Sequence, residues 1–243
     1  MDKLANIICM KWGDKFPAIY VNRLYGMIDR NITIPFNLYC FTDNDIGIRD
    51  EVKIKPLPNL NLPDNIPERG WQKLSVFSDN FGGLVGPVLF LDLDVLIVDN
   101  IDSFFEITGD FIIAHDKKRP KKIEGNSSVF RFNIGQNSDI LDFFINHFNQ
   151  IRKEVRHEQA YLSREIHKKG ILNYWPDRWV PSFKYHCIPP LHKTFFKKPF
   201  IPKGAKIILF HGSPNPPDAL MGKSGKWYRF FRSADWIKDI WKE

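Results

Sequence analysis

Eleven consecutive residues, Val88 to Val98 (VLFLDLDVLIV), constrain this chain more than any other stretch: nine are apolar, and the other two are Asp92 and Asp94. Such a run has no polar face to offer solvent, which is the pattern of a central strand covered by helices on both sides of its sheet. The period of two along an extended chain places both carboxylates on one side. Two charges cannot stay buried without a cation, a basic partner or solvent. The strand is therefore expected to end at this pair and to carry the carboxylates at its carboxyl end.

The flanking sequence supplies the layers that such a strand needs. Leu4 to Met10 reads as a first buried strand running into the loop Lys11 to Lys15, followed by a helix with Tyr20, Leu24, Met27 and Ile28 on one side. Phe36 to Thr42 is the next strand, and the Pro- and Asn-rich stretch 55–70 is a loop. Trp71 to Phe81 reads as a helix stopped by Gly82-Gly83, Phe111 to Ala114 and Asn126 to Phe132 as strands, and Ile140 to Ile151 as a helix. Strands alternating with helices predict an α/β domain with a mostly parallel sheet flanked by helices. At 243 residues, without a Gly/Ser-rich or acidic linker or an internal repeat, the chain is expected to be one domain over 1–215 with an extension over 216–243.

Cys9, Cys40 and Cys187 are odd in number and far apart, which fits buried thiols in a reducing compartment better than disulfides. The apolar run near Met1 is too short for a signal peptide, and no eighteen consecutive apolar residues occur, so a cytoplasmic protein is expected. The net charge of +7 is concentrated: residues 193–243 hold 11 Lys/Arg against 4 Asp/Glu, and the first 192 residues balance at zero. A basic end of this kind implies an anionic partner. Within it, 223–243 interleaves Trp227, Tyr228, Phe230, Phe231, Trp236 and Trp241 with Lys and Arg. That mixture suits an interfacial helix on the inner face of a membrane, and suits equally a helix whose Ile237, Ile240 and Trp241 pack back on the sheet. No nucleic-acid module accompanies the charge, and no nucleic-acid partner is expected.

Ligands of open α/β sheets collect outside the carboxyl ends of the strands, where Asp92 and Asp94 are expected. Oxygen ligands favour Mg²⁺ or Mn²⁺, and such an ion bridging two phosphates would neutralise charge on a departing nucleotide. The plainer reading is a pair of turn carboxylates. A chemical rival is the first motif of haloacid-dehalogenase-type phosphatases, with Asp92 as nucleophile. That reading requires further parts which Asp110 and Asp116 imitate poorly, and it does not expect some ninety residues ahead of the motif. A third reading is a non-catalytic basic module that binds membranes or polyanions.

The stretch from Lys73-Leu74 to Phe104-Phe105, containing LFLDLDVLIVDNIDSFF, resembles glycosyltransferase family 8 and related bacterial GT-A glycosyltransferases of glycan and lipopolysaccharide synthesis. Downstream, Asn126-Ser127-Ser128-Val129 resembles the family's Asn-x-Gly-Val segment beside the donor sugar, Glu158-Gln159 its Asp-Gln pair, and His211 its late metal-binding His. The resemblance covers residues 5–215. It implies a GT-A, Rossmann-like fold, metal-dependent transfer from a nucleotide-diphosphate donor of the UDP-sugar type, a glycan or lipid-linked glycan acceptor, and a retaining outcome. It further implies Asp92, Asp94 and His211 as ligands of Mn²⁺ or Mg²⁺, Leu93, Asn126 and Ser127 at the donor, and Glu158 and Gln159 at the reacting centre. Ser128 stands where the family has Gly, Glu158 where it has Asp, and Asn215 where it often has a diphosphate-binding Lys, which leaves phosphate contact to Lys223 or Lys226.

Read from the residues alone, His211 follows the apolar run Ile207 to Phe210 and opens a Gly/Ser/Pro loop, so a neutral imidazole there suits a mixed carboxylate–phosphate site. His157, His167, His186 and His192 lack ligand-like spacing with it. Strand-end position also nominates a crevice wall: Trp12 to stack on a base, Asp43 to accept a base or ribose hydrogen bond, and Lys11 or Lys73 to approach phosphate. The bland counterparts are solvated lysines, an Asx turn at Asp43 and a first-turn helix acid at Glu158.

Overall fold

The computed structural model describes residues 4–63, 70–116, 123–225 and 230–243. Its elements, in order, are β1 (Ala5–Lys11), α1 (Ala18–Asn31), β2 (Phe36–Thr42), β3 (Lys53–Pro56), a 3-10 helix (Trp71–Phe77), β4 (Pro87–Leu91), β5 (Leu96–Ile97), α2 (Ser103–Glu106), β6 (Phe111–His115) and β7 (Gly125–Asn133). There follow α3 (Ser138–Glu154), α4 (Glu158–Lys168), β8 (Leu172–Tyr174), a π turn (Phe183–Cys187), a 3-10 turn (Leu191–Lys193), β9 (Ile207–Ile208), α5 (Pro216–Leu220) and α6 (Ile237–Ile240).

Seven strands form one sheet in the order β3-β2-β1-β4-β7-β6-β8, while β5 and β9 form a small second sheet. The ladders β1–β2, β1–β4, β2–β3 and β6–β8 are parallel, and β7 runs antiparallel to both β4 and β6. Alternation along the strands sorts the core onto two faces. Ile7, Cys9, Leu89 and Leu91 point to the side covered by α1, the small sheet and the C-terminal segment. Ile8, Met10, Val88 and Phe90 point to the side covered by the first 3-10 helix, α3 and α4. That second side is rich in rings: Phe77, Phe90, Phe111, Phe130 and Phe132 pack with centroids 4.8–6.4 Å apart. The three cysteines are free and buried, with Cys9 and Cys40 register partners in β1 and β2.

Two expectations are corrected. The apolar run 88–98 is two strands, because a turn at Leu93–Asp94 carries the chain out of the main sheet into the second one. The carboxylates are the reason: a strand continuing through Asp92 and Asp94 would bury both between helical layers. The segment after residue 70 is a 3-10 helix, seven residues long, and not an α-helix reaching Phe81. Trp71, Leu74 and Phe77 recur every third residue, the spacing that a 3-10 helix superposes on one face, and all three are buried. Asp79-Asn80 and the positive φ of Gly82 (62°) and Gly83 (73°) then turn the chain away.

Residues 230–243 pack on α1. Phe231, Ala234, Ile237 and Trp241 are buried in the same core as Leu24, Met27 and Ile28, and Trp241 meets Tyr20 edge-on at 5.0 Å. Trp227 and Tyr228 lie outside the described residues. Among the described residues, no helix is long and apolar enough to cross a membrane.

Candidate active site

β1 is flanked by β2 and β4, so the chain leaves the middle of the sheet in both directions and opens a crevice beyond the carboxyl ends of the strands. A cleft of about 800 Å³ lies there. Its walls are the loop after β1 (Trp12 to Phe16), the turn after β4 (Asp92, Leu93, Asp94), the start of β7 (Asn126, Ser127, Ser128), the start of α4 (Glu158, Gln159) and the Phe210–Gly212 segment.

The floor is a buried ionic network. Lys73 Nζ sits 2.9 Å from Asp92 Oδ1 and 3.0 Å from Oδ2, and 3.6 Å from Glu158 Oε1. It also donates to the backbone oxygen and the hydroxyl of Ser127, each at 3.3 Å. Ser127 Oγ donates in turn to Glu158 Oε1. Burial opposes charge on Lys73, yet Asp92 and Glu158 outweigh it and hold its pKa above the ordinary value. Burial raises the Glu158 pKa, against the pull of Lys73 and Ser127. Asp94 is pushed up to about 7, first by burial and then by the charge of Asp92, with Lys15 pulling the other way.

Local backbone fixes these side chains. Asp92 N–H donates to Ser128 O at 2.9 Å, extending the β4–β7 ladder to the edge of the turn. Gly70 has φ 78°, and a Cβ there would stand 2.6 Å from Glu158 Oε2, so only glycine lets the chain pass the carboxylate. Asn126 Oδ1 accepts from Ser128 N–H at 3.0 Å, which turns Nδ2 towards His211 Nδ1, also at 3.0 Å. Gln159 Nε2 donates to Glu124 Oε1 at 3.2 Å.

Of the residues nominated from sequence, Trp12, Lys73, Asp92, Leu93, Asp94, Asn126, Ser127, Glu158, Gln159 and His211 all line this one cleft. Lys11 and Asp43, also expected at the donor, are not among the lining residues and brace the wall: Lys11 Nζ donates to Asn44 O at 2.9 Å, and Asp43 Oδ2 accepts from Gly13 N–H at 2.9 Å. Each strand end thus stiffens its neighbour's loop. Lys223 does not line the cleft, and Lys226 lies outside the described residues. Lys15, in the loop expected to face the crevice, lines it as well, whereas sequence reasoning missed Gly70, Asp116, Glu124 and His157, which also line it. His157 carried a signal in its place just before the Glu158-Gln159 pair, whereas Asp116 and Glu124 meet the site only through the β6–β7 pairing. Among the described residues, no three His, Cys, Asp or Glu side chains are gathered into a cluster that could hold a metal ion.

No protein-family model and no curated protein matches the sequence. The fold defines the class: a GT-A-type, Rossmann-like glycosyltransferase fold with a mixed, mostly parallel seven-stranded sheet. Solved structures that share it include the galactosyltransferase LgtC in complex with donor and acceptor sugar analogues, at 13% identity and TM-score 0.61, over 96% of this chain and 94% of that one. The glycosyltransferase GlyE of Streptococcus pneumoniae TIGR4 matches at 14% identity and TM-score 0.63, over 98% of this chain. This chain spans 60% of the GlyE chain. The phosphatase reading, which expects the Asp-Leu-Asp strand to open the fold, finds β1, β2 and β3 ahead of it in the same sheet.

Proposed function

We propose that the protein transfers a sugar from a nucleoside-diphosphate donor, a UDP-sugar, to a glycan or lipid-linked glycan acceptor, with Mn²⁺ or Mg²⁺ held by Asp92, Asp94 and His211. The observation that carries this reading is the meeting of Asp92 and Asp94 with Lys73, Glu158 and His211 in one cleft at the switch point of a GT-A fold. The side chains of Asp92, Asp94 and His211 line one cleft without being gathered into a ready-made cluster, so they would hold a hard or borderline cation only together with the diphosphate oxygens of the donor. His211, held by Asn126 at Nδ1, would be the imidazole ligand of such a set. The cation, when bound, supplies Lewis-acid stabilisation of the leaving diphosphate.

The protein's own groups do the rest. Lys73 keeps positive charge beneath Asp92 and Glu158 and offsets part of their negative charge. Trp12, half-buried in the wall, offers a face for a nucleobase. Glu124 fixes the amide of Gln159, and the Glu158 carboxyl is tied to Ser127 and Lys73. A carboxyl held in this way would orient sugar hydroxyls, in keeping with the retaining outcome. Membrane contact through 223–243 belongs to the same reading and rests on its exposed cations, since Phe231, Ile237 and Trp241 are packed inside.

Calorimetry of UDP binding tests the core of this reading. Binding should require Mn²⁺ or Mg²⁺ and weaken by about tenfold or more in Asp94→Asn, the loss of one charged ligand contact. Equal binding with and without the ion, or in the variant, would remove the metal–diphosphate assignment.

A further inference from the structure

Among the described residues, the cleft leaves unused a group of exposed rings gathered on one part of the surface. Leu191 is 69% exposed, Phe195 61%, Phe196 81% and Phe200 50%, and Phe230 joins them at 46%. Phe195 and Phe230 stack with centroids 4.9 Å apart and planes 15° from parallel. The backbone beneath is hydrogen-bonded. Phe196 and Lys197 N–H return to Lys193 O at 3.1 and 2.8 Å, Phe200 N–H reaches Cys187 O at 3.0 Å, and Trp236 Nε1 donates to Pro199 O at 3.1 Å. Scattered apolar side chains on a surface need no explanation, but rings held side by side in water mark a contact site.

The charge around them is one-sided. From Arg178 to Pro217 the chain has seven Lys/Arg and no Asp or Glu. Lys193, Lys197 and Lys198 are exposed between the rings, and Asp235 of the C-terminal segment pairs with Lys198. A soluble polyanion would neutralise the lysines and leave the rings wet. An apolar protein groove would cover the rings and strand the ammonium groups. An anionic bilayer satisfies both, with rings in the headgroup–acyl boundary and ammonium groups among the phosphates.

We propose that the platform from Leu191 to Ile201, together with Phe230, is the surface on which this protein lies against an anionic membrane. It names the partner through which a lipid-linked acceptor would be met, and in that respect it rests on the transferase reading. The platform is wired to the cleft by the π turn Phe183–Cys187: Lys184 Nζ donates to His211 O, and Cys187 O accepts from Phe200. Seating the platform on a bilayer therefore sets the cleft at a fixed place relative to the lipid surface.

Co-sedimentation with phosphatidylglycerol/phosphatidylcholine vesicles, against phosphatidylcholine alone, tests this with the full chain. The protein should bind the anionic vesicles, with binding weakened by salt. Phe195→Ser/Phe196→Ser and, separately, Lys193→Gln/Lys197→Gln should each lower the partition coefficient by about tenfold or more. None of these four residues lines the cleft, so the thermal shift given by UDP and Mn²⁺ should be the same in both variants as in the wild type. That shift also separates the two readings: its absence in the wild type counts against the transferase, while vesicle binding stands or falls by itself. The platform assignment is overturned if the wild type ignores phosphatidylglycerol vesicles, or if the ring variant binds them undiminished. It is likewise overturned if the ring variant turns a dimer into a monomer, which would mean that a second copy covers the rings.

Discussion

Asp94 is a carboxyl kept where its ionised form is penalised, first by burial and then by the charge of Asp92, so that its pKa is pushed up to about 7. In the unfolded chain it titrates near 4, so between about pH 4 and 7 the native state holds a proton that the unfolded state has released. Because the folded state binds more protons there, stability falls as pH rises through that window and levels off above it. Asp94→Asn resembles the protonated form at every pH. The variant should therefore gain on the wild type between pH 5 and pH 8 by about 2–3 kcal/mol in urea unfolding without divalent ions. A pH-independent difference between the two proteins would show that Asp94 is ionised throughout. The same substitution is expected to weaken metal-dependent UDP binding by about tenfold or more, so one residue trades stability for binding.

At the scale of elements, the parts most legible in the sequence were those governed by local pattern. The continuous apolar runs of Ile7–Met10 and Val88–Leu91 reflect strands covered on both faces, and the helical spacing of Tyr20, Leu24, Met27 and Ile28 reflects burial on one side. The Asp-Leu-Asp pair was legible as a strand end because charge cannot continue into a covered sheet. Spacing gave less where the choice was between two helices: Trp71, Leu74 and Phe77 satisfy i, i+3 in either kind, and the tertiary stack of Trp71 on Phe144, at 5.4 Å, favours the tighter one. Arg131 was not legible at all. In the strand pattern of β7 it reads as a solvated position, but it is buried and donates to Phe104 O (2.7 Å), Ile107 O (2.5 Å) and Gly109 O (3.1 Å), partners more than twenty residues away in sequence. These bonds anchor α2 and the turn before β6 to the strand that carries Asn126 and Ser127. Lysine keeps the charge but not the planar fork. Arg131→Lys should leave carbonyls unpaired and cost about 2–3 kcal/mol of unfolding free energy, and an unfolding midpoint equal to that of the wild type would refute the anchoring role.

Over the whole molecule, the C-terminal segment decides whether 216–243 is an appendage or part of the core. Arg30 of α1 donates to Glu243 O at 3.1 Å and to the carbonyls of Ile240 and Lys242, each at 2.9 Å. The chain passes so close to Gly26 that a Cβ there would stand 2.5 Å from the Glu243 carbonyl carbon. Trp241 lies between them, 8% exposed, its ring under the Arg23 guanidinium at 4.0 Å and against Tyr20. These contacts seal the side of α1 away from the sheet, and α1 is the helix that follows the Trp12–Phe16 wall of the cleft. Truncating a ring so packed costs about 3 kcal/mol, the lower end for buried aromatic residues because the indole sits at the rim. In a domain of this size that corresponds to a fall in Tm of roughly 6–12 °C for Trp241→Ala. Since Ile237 and Phe231 share a core with β1 and β4, the loss should appear in calorimetry as one cooperative transition moved down. Two transitions, or an unmoved Tm, would mean that the segment folds apart from the sheet and that α1 owes its place to the sheet alone.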